Sequence, residues 1–383
     1  MKLIDYIITL GETAIRDPNK YFIPGHNGLY NDPETPVRNK GHWLITFVKV
    51  YEITHDKKYL DVIKDLADYL INDKARPYGF SFHHRSKEGK DRCNGLIGQA
   101  WTFEALAYAS SVTENLEYAE LVEDVFFQHT FNYKCGLWNR LEIDGTILSI
   151  DPTFNHQLWF AACAAMLETP RRKEIRKRIL IFLDFLHDNL TILDNGLIYH
   201  PIENLLQGNE SRKSIIPILK NVAKTFLSSL GIIGKKNNNV TRQYKEKMIY
   251  KSIGYHQFNM YAFAMLKEKV PNHPFWESPE FGRSVNYLVS KEFKNELIDN
   301  RYGYPYNPPG FEVPYALSVF TEISDKESME ILSWWINEQL KRCYNTETQM
   351  MDKDTEDSLT HTARIYELMR LPSLILKRIE VAI

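Results

Sequence analysis

At 383 residues, with 44% apolar and 13% aromatic residues, the chain has material for a large buried core and is too apolar for a disordered protein. Its 47 Lys and Arg against 49 Asp and Glu leave a formal charge of −2, which offers no basic field for nucleic acid or an anionic membrane. No apolar run approaches the ~18 residues of a membrane span. Cys93, Cys135, Cys163 and Cys343 are scattered without a CxxC pair, so free thiols and a cytoplasmic protein are expected.

The first helix spans about residues 3–16 and reads as part of the fold, not as a leader, because Asp5 and Glu12 interrupt its apolar residues. Residues 17–40, rich in Pro, Asn and Gly, form a loop. Residues 42–54 then predict a helix that is apolar nearly all round. Residues 58–73 predict an amphipathic one, with Asp61, Lys64, Asp65 and Asp68 opposite Leu60, Ile63, Ala67 and Leu70. The alternation repeats at 94–113 and 114–131, 154–167 and 170–190, 255–268 and 279–293, and 311–323 and 326–344. A last apolar helix at 357–371 takes the N-terminal helix as its outer partner.

The apolar members begin near residues 41, 94, 151, 254, 310 and 357, so all but one of the intervals are close to a helix-pair repeat of about 50 residues. Helices apolar on every side belong to an inner ring and amphipathic ones to an outer ring, so the chain predicts an all-α fold, an (α/α)6 toroid in a single domain, 1–383. The long interval carries an insertion at about 208–247, with a helix near 213–230 that is alternatively a seventh inner helix, and with the GKKNNN tract, 234–239, as a mobile loop. Gly and aromatic residues in 78–92, 135–151, 195–204 and 301–310 predict short β-hairpin connections collected at one end, around the inner-helix N-termini.

Polar residues gather at that end: His42; Asp91, Arg92, Asn94 and Gln99; Asp151, Asn155, His156 and Gln157; Tyr255, His256, Gln257 and Asn259; Glu312; Asp357, Thr360, His361 and Arg364. On apolar helices such groups are costly unless satisfied or facing a wet cavity, and their common placement argues for a cavity. Capping explains Asp, Asn and Thr one at a time, with Asp151 as an N-cap and Pro152 in the first turn of its helix. It does not explain repeated His and Gln beyond the first residue. Trp43, Trp101, Trp159 and Tyr261 are candidates for stacking on sugar rings, although such aromatics more often build the core. His83-His84 is an isolated pair, DKDTED at 352–357 lacks the glycine of a calcium loop, and GxGxxG, GxxxxGK[ST] and GxSxG are absent from the sequence, so no metal or cofactor is expected.

This pattern resembles the six-hairpin glycosidase superfamily over nearly the whole chain. Asp151-Pro-Thr-Phe-Asn155 is similar to the Asp-x-x-x-Asn helix start of the unsaturated glucuronyl and rhamnogalacturonyl hydrolases. The resemblance implies glycoside hydrolysis in an oligosaccharide, with Asp151 as general acid and Asp91 or Glu312 as second carboxylate. Substrate would be held by His42, Asn94, Asn155, His156, Gln157, Trp159, Tyr255, His256 and His361, and a uronate by Arg92 or Arg364. The sequence departs from that family at Asn94, near which the family has its second Asp, and at Thr153 and Phe154, where Met is typical. A second likeness, to N-acylglucosamine 2-epimerases, implies proton transfer by paired histidines drawn from His156, His256 and His361. A non-catalytic glycan-binding protein is the third reading. Common to these readings is the expectation that Asp151, His256 and His361 line one hollow.

Overall fold

The computed structural model describes residues 1–206, 238–323 and 326–383, leaving aside the side chains of 206 and 238–241. Its main helices in chain order are α1 (Leu3–Arg16), α2 (Val37–Thr54), α3 (Lys57–Ile71), α4 (Gly95–Thr113), α5 (Leu116–Gln128), α6 (Phe154–Ala164), α7 (Arg172–Asp184), α8 (Asn238–Lys269), α9 (Pro279–Val289), α10 (Pro309–Phe320), α11 (Lys326–Cys343) and α12 (Ser358–Ala363). The last continues as a 3-10 helix over Arg364–Arg370. Helices α2, α4, α6, α8, α10 and α12 stand in that order around the centre, each touching the next, and the 3-10 end of α12 closes on α2. Outside them α3, α5, α7, α9 and α11 each pack on the preceding inner helix. Helix α1 lies against α2, and the chain ends meet there: Leu3 N–H bonds Ile379 O at 2.9 Å and Lys2 bridges Glu380. This is the (α/α)6 toroid.

The burial pattern follows the composition. Almost every residue of α4 from Gly95 to Leu106 is buried, including Gln99 and Glu104, whereas α3 buries Tyr59, Ile63, Leu66, Ala67 and Leu70 and turns its charges to water.

Two boundaries differ from the sequence reading. Helix α6 starts at Phe154, so Asp151 and Pro152 lie outside it. Thr153 pairs across to Pro201 and Phe154 N–H bonds His200 O at 3.2 Å, which keeps the chain extended up to that point. Helix α8 starts at Asn238, so residues 238–247 belong to it and not to an insertion. The helix expected near 213–230 and the first part of the GKKNNN tract lie outside the described residues. Within α8, Gly254 permits backbone-distance packing, since a Cβ there would stand 2.4 Å from Tyr302 Cβ.

The connections into the inner helices gather at the end where those helices begin. In 135–151, Leu137–Leu141 pairs antiparallel with Phe131–Asn132 and with Ile147–Ile150. The other three expected hairpins are looser. Residues 78–92 make one bridge, Glu34 to Arg85, and 195–204 make bridges at Ile198 and Pro201. Residues 301–310 are turns without strand pairing. A further hairpin, Tyr344–Asn345 with Met350–Met351, precedes α12.

Candidate active site

The connection before α4 ends in two left-handed residues, Asn94 (φ 56°) and Gly95 (φ 60°), and Asn94 stands at the N-cap without a side-chain capping bond. Two carboxylates supply the caps. Asp91 Oδ1 accepts the Gly95 N–H at 2.8 Å, and Asp151 Oδ2 accepts the Leu96 N–H at 3.0 Å. Asp151, expected to cap its own helix, therefore caps the neighbouring one, and both acids face the positive end of α4.

Arg140, on the central strand of the hairpin, bonds Asp91 Oδ2 at 2.7 Å, and Arg85 bonds Asp91 Oδ1 at 3.0 Å. Burial pushes the Asp91 carboxyl up, but Arg85, Arg140 and the Gly95 N–H together hold it below the usual carboxylate range. Burial likewise acts to raise Asp151. His156, then Arg140 and the Leu96 N–H, outweigh it and hold Asp151 far below that range. Both carboxyls are thus ionised at neutral pH.

His156 is the partly open member of this cluster. Its Nδ1 lies 2.8 Å from Asp151 Oδ2, and its side chain is 24% exposed against 3% for Asp151. The ionised carboxylate can only accept, so Nδ1 carries the proton of this bond, and in the neutral ring the lone pair is on Nε2. Gly95 makes room for this dyad: a Cβ at that position would stand 2.5 Å from Asp151 Oδ2 and 2.8 Å from His156 Nδ1.

His200 stands beside the dyad. The pairing of Thr153 with Pro201 brings the two chain segments together, and the His200 N–H bonds Ser252 Oγ at 2.9 Å. Its ring packs on Tyr255 with centroids 4.6 Å apart, and Tyr255 Oη lies 3.1 Å from Tyr30 Oη. Burial first, then the charge of Lys251, and that of His156 whenever its ring is protonated, push the His200 imidazole well below its ordinary pKa, so it is neutral. Its Nδ1 has no hydrogen-bond partner among the described residues.

Much of the remaining predicted polar ring is committed elsewhere. His256 accepts the Ile198 N–H and approaches Ser284 O at 3.1 Å, between α8 and α9, with Tyr287 and Phe293 on its ring. His361 bonds Thr355 Oγ1 at 2.8 Å and Gln339 of α11 at 3.1 Å. His256 turns to the outer ring, and His361, bonded there as well, also lines a small cavity with Gly28, Arg38 and Tyr306; neither histidine hydrogen-bonds Asp151 among the described residues. Glu312 is fully buried against Arg364, whose guanidinium also binds Glu367, Asn307 and Tyr306 O. Both are buried and bound to each other, with Glu312 Oε2 left unpartnered among the described residues. Trp159 is fully buried, donating to Phe258 O and stacked on Phe258 at 4.5 Å, which makes it core and not a sugar platform.

Gln99 and Gln157 repeat one device: each amide pairs with both backbone groups of a connection residue, Phe82 and Trp138 respectively. They satisfy buried backbone. His42 accepts from Arg38 Nε at 3.3 Å and stacks on Tyr366 at 4.2 Å, buried within the ring. Asn155 is buried, with Oδ1 unpartnered among the described residues. Arg92 stays at the rim, its side chain 41% exposed, near Glu142 and Asp144. Asp357 caps α12 through the Thr360 N–H, as expected of its type.

No family profile matches the chain. It is 40% identical over 348 residues to archaeal glycosylation protein Q of Haloferax volcanii, with 91% of each chain covered. The chain belongs to the archaeal glycosylation protein Q family. Among solved structures it is similar to cellobiose 2-epimerase from Bacillus thermoamylovorans B4167, with TM-score 0.61, 12% identity and coverage of 96% of this chain and 98% of that one. D-mannose isomerase gives TM-score 0.60 and 10% identity, with 96% and 94% covered. The α-1,6-mannanase of Salegentibacter sp. HEL1_6 gives 0.57 and 13%, with 97% and 98% covered. These likenesses show the fold: members of the six-hairpin superfamily share it with this family.

His200, Arg140 and Tyr30 escaped the sequence reading. The first two lie in connections recognised only by their Gly and aromatic residues, and Tyr30 in the loop before α2. A histidine followed by proline in NGLIYHPIEN was the one available signal for His200, since proline holds its predecessor extended.

Proposed function

We propose that this protein is a sugar isomerase or epimerase working in glycan assembly, and that His156 moves a proton at the carbon beside a sugar carbonyl. The observation that carries this reading is the Asp151–His156 dyad. It presents a partly exposed imidazole whose outer nitrogen is a base, beside the neutral imidazole of His200. Asp151 holds the ring and favours its charged form once the proton is taken. A neutral His200 that donates a hydrogen bond to the carbonyl oxygen stabilises the enediolate formed. The name of the Haloferax volcanii relative supports a glycosylation context, and the names of the fold neighbours support a sugar substrate.

Hydrolysis by Asp151 and Asp91 is the second reading, favoured by one observation: both carboxylates lie within the field of Arg140. That same field opposes it, because a hydrolase needs one of its two carboxyls protonated. One experiment separates the two. A panel of monosaccharides and oligosaccharides is incubated with the protein in D2O and followed by NMR and mass spectrometry. Deuterium entering a sugar of unchanged chain length is expected. Shortened chains without deuterium next to the carbonyl would overturn the proposal in favour of hydrolysis.

A further inference from the structure

One half-buried cation next to this site has no assigned use. Lys251, on α8 one turn before Tyr255, extends its Nζ over three tyrosine rings, 5.2 Å from the centroid of Tyr30, 5.3 Å from Tyr255 and 5.9 Å from Tyr302. It keeps intermediate exposure, and no carboxylate or carbonyl partner for it is recorded among the described residues. An ammonium half-withdrawn from water without a counter-charge is costly, and aromatic faces repay only part of that cost. The cations around it add to the deficit. Lys90 lies over the other contact of Tyr30 at 5.5 Å while bonded to Asp32, and Lys247 stands one turn earlier on α8. Tyr255 touches both Lys251 and His200, which places the amine next to the proposed proton-transfer groups.

We propose that Lys251 anchors an anionic substituent of the substrate sugar, a phosphate or a carboxylate, with the tyrosine rings of Tyr30, Tyr255 and Tyr302 walling the site. This rests on the isomerase reading for its neighbourhood, but not for its test. Fixing the charged arm at Lys251 would set the reacting carbon against His156, and neutral sugars would lack that anchor. The groups facing the amine are Lys247, Lys90 with its Asp32, the three tyrosines, and the neutral His200. Burial, with Lys247 and Lys90, lowers the Lys251 amine to about 7, so an anion that binds its charged form also brings a proton with it.

Binding is read apart from turnover. Inorganic phosphate, glucose 6-phosphate and D-glucuronate are titrated onto the full chain, with D-glucose as the neutral control, by NMR or tyrosine fluorescence. The same titrations are made with Lys251→Met, which removes the charge without opening a cavity, and with Lys251→Arg. The expected result is that at least one anionic probe binds more tightly than glucose. Lys251→Met should then weaken that probe by roughly tenfold or more, the value of one charge-assisted hydrogen bond, while Lys251→Arg retains it and glucose is unaffected. Preference for the phosphate or the carboxylate probe identifies which group the site takes. Wild-type affinity should fall as pH rises through about 7, and affinity in Lys251→Arg should not. Equal anion affinity in wild type and Lys251→Met, or no anionic probe bound above the glucose level, overturns the proposal. His156→Gln that loses deuterium exchange yet keeps anion binding supports both readings. Lysine-dependent anion binding without any exchange supports the anchor alone.

Discussion

Two of the arginine–carboxylate clusters in this ring are built to different ends. At the start of α4, Asp91 and Asp151 lie among Arg85, Arg140 and two helix N–H groups, and the cluster ends in His156, which reaches solvent. In the interior, Arg364 is bound by Glu312, Glu367, Asn307 and Tyr306 O, and the cluster ends nowhere, since all three charged side chains are at most 3% exposed. The electrostatics run in opposite directions. Cations and helix N–H groups hold the two aspartates down. Burial pushes Glu312 well up and Glu367 to about 7, despite Arg364. What separates a candidate site from an internal brace is therefore an unspent nitrogen in contact with water, not the residue types.

That contrast breaks most cleanly at its two ends. Replacing His156 with Gln is expected to lower the rate of sugar-dependent deuterium exchange by about 10²- to 10⁴-fold, the usual share of a general base. Its melting temperature should stay near wild type if the Gln amide takes over the hydrogen bond to Asp151 that His156 Nδ1 makes at 2.8 Å. Arg364→Met should do the reverse. Leaving Glu312 and Glu367 buried without their cation is expected to cost about 3–5 kcal/mol of stability, measured by chemical denaturation. The sign with pH follows from the raised carboxyls. A glutamate whose folded pKa is above its unfolded one loses stability as pH rises through the folded value. The gap between Arg364→Met and wild type should therefore widen from pH 5 toward pH 8. A gap that stays constant would mean that losing Arg364 leaves the proton affinity of both glutamates unchanged, as when they find another partner in the variant.

A smaller effect sharpens the geometry. Gly95→Ala forces a side chain onto a residue at φ 60° and drives its Cβ against Asp151 and His156. A cost of about 1–3 kcal/mol is expected from such backbone strain, together with slower exchange as the dyad is displaced. Stability loss with exchange unchanged would show that His156 tolerates the shift and that its placement over α4 is not required.

The residues show why some of the site was legible and some was not. Asp151 and His156 were visible because an acid and a histidine stood five residues apart at the start of an apolar helix. His256 and His361 also stood on apolar helices, yet each bonds to the outer layer, His256 at Ser284 O and His361 at Gln339. On a helix buried all round, the 3.6-residue period marks no inward face, so sequence spacing cannot tell the cavity from the seam between rings. For the same reason, spacing alone could offer Trp159 and Glu312 to a site, although both are fully buried. His200 lay in a connection, where its approach to His156 depends on the bridge between Thr153 and Pro201, a contact between segments 48 residues apart in the chain.

By itself the sequence determined the ring: the alternation of uniformly apolar with amphipathic helices at a period near 50 residues can bury its surface only by closing into two concentric layers. It also placed the polar residues at the end where the inner helices begin. Only the tertiary structure decided which of them meet, because a helix N-terminus is an open set of N–H donors that any nearby carboxylate can fill. Asp151 filled that of α4 instead of its own, and that choice holds His156 beside the start of α4.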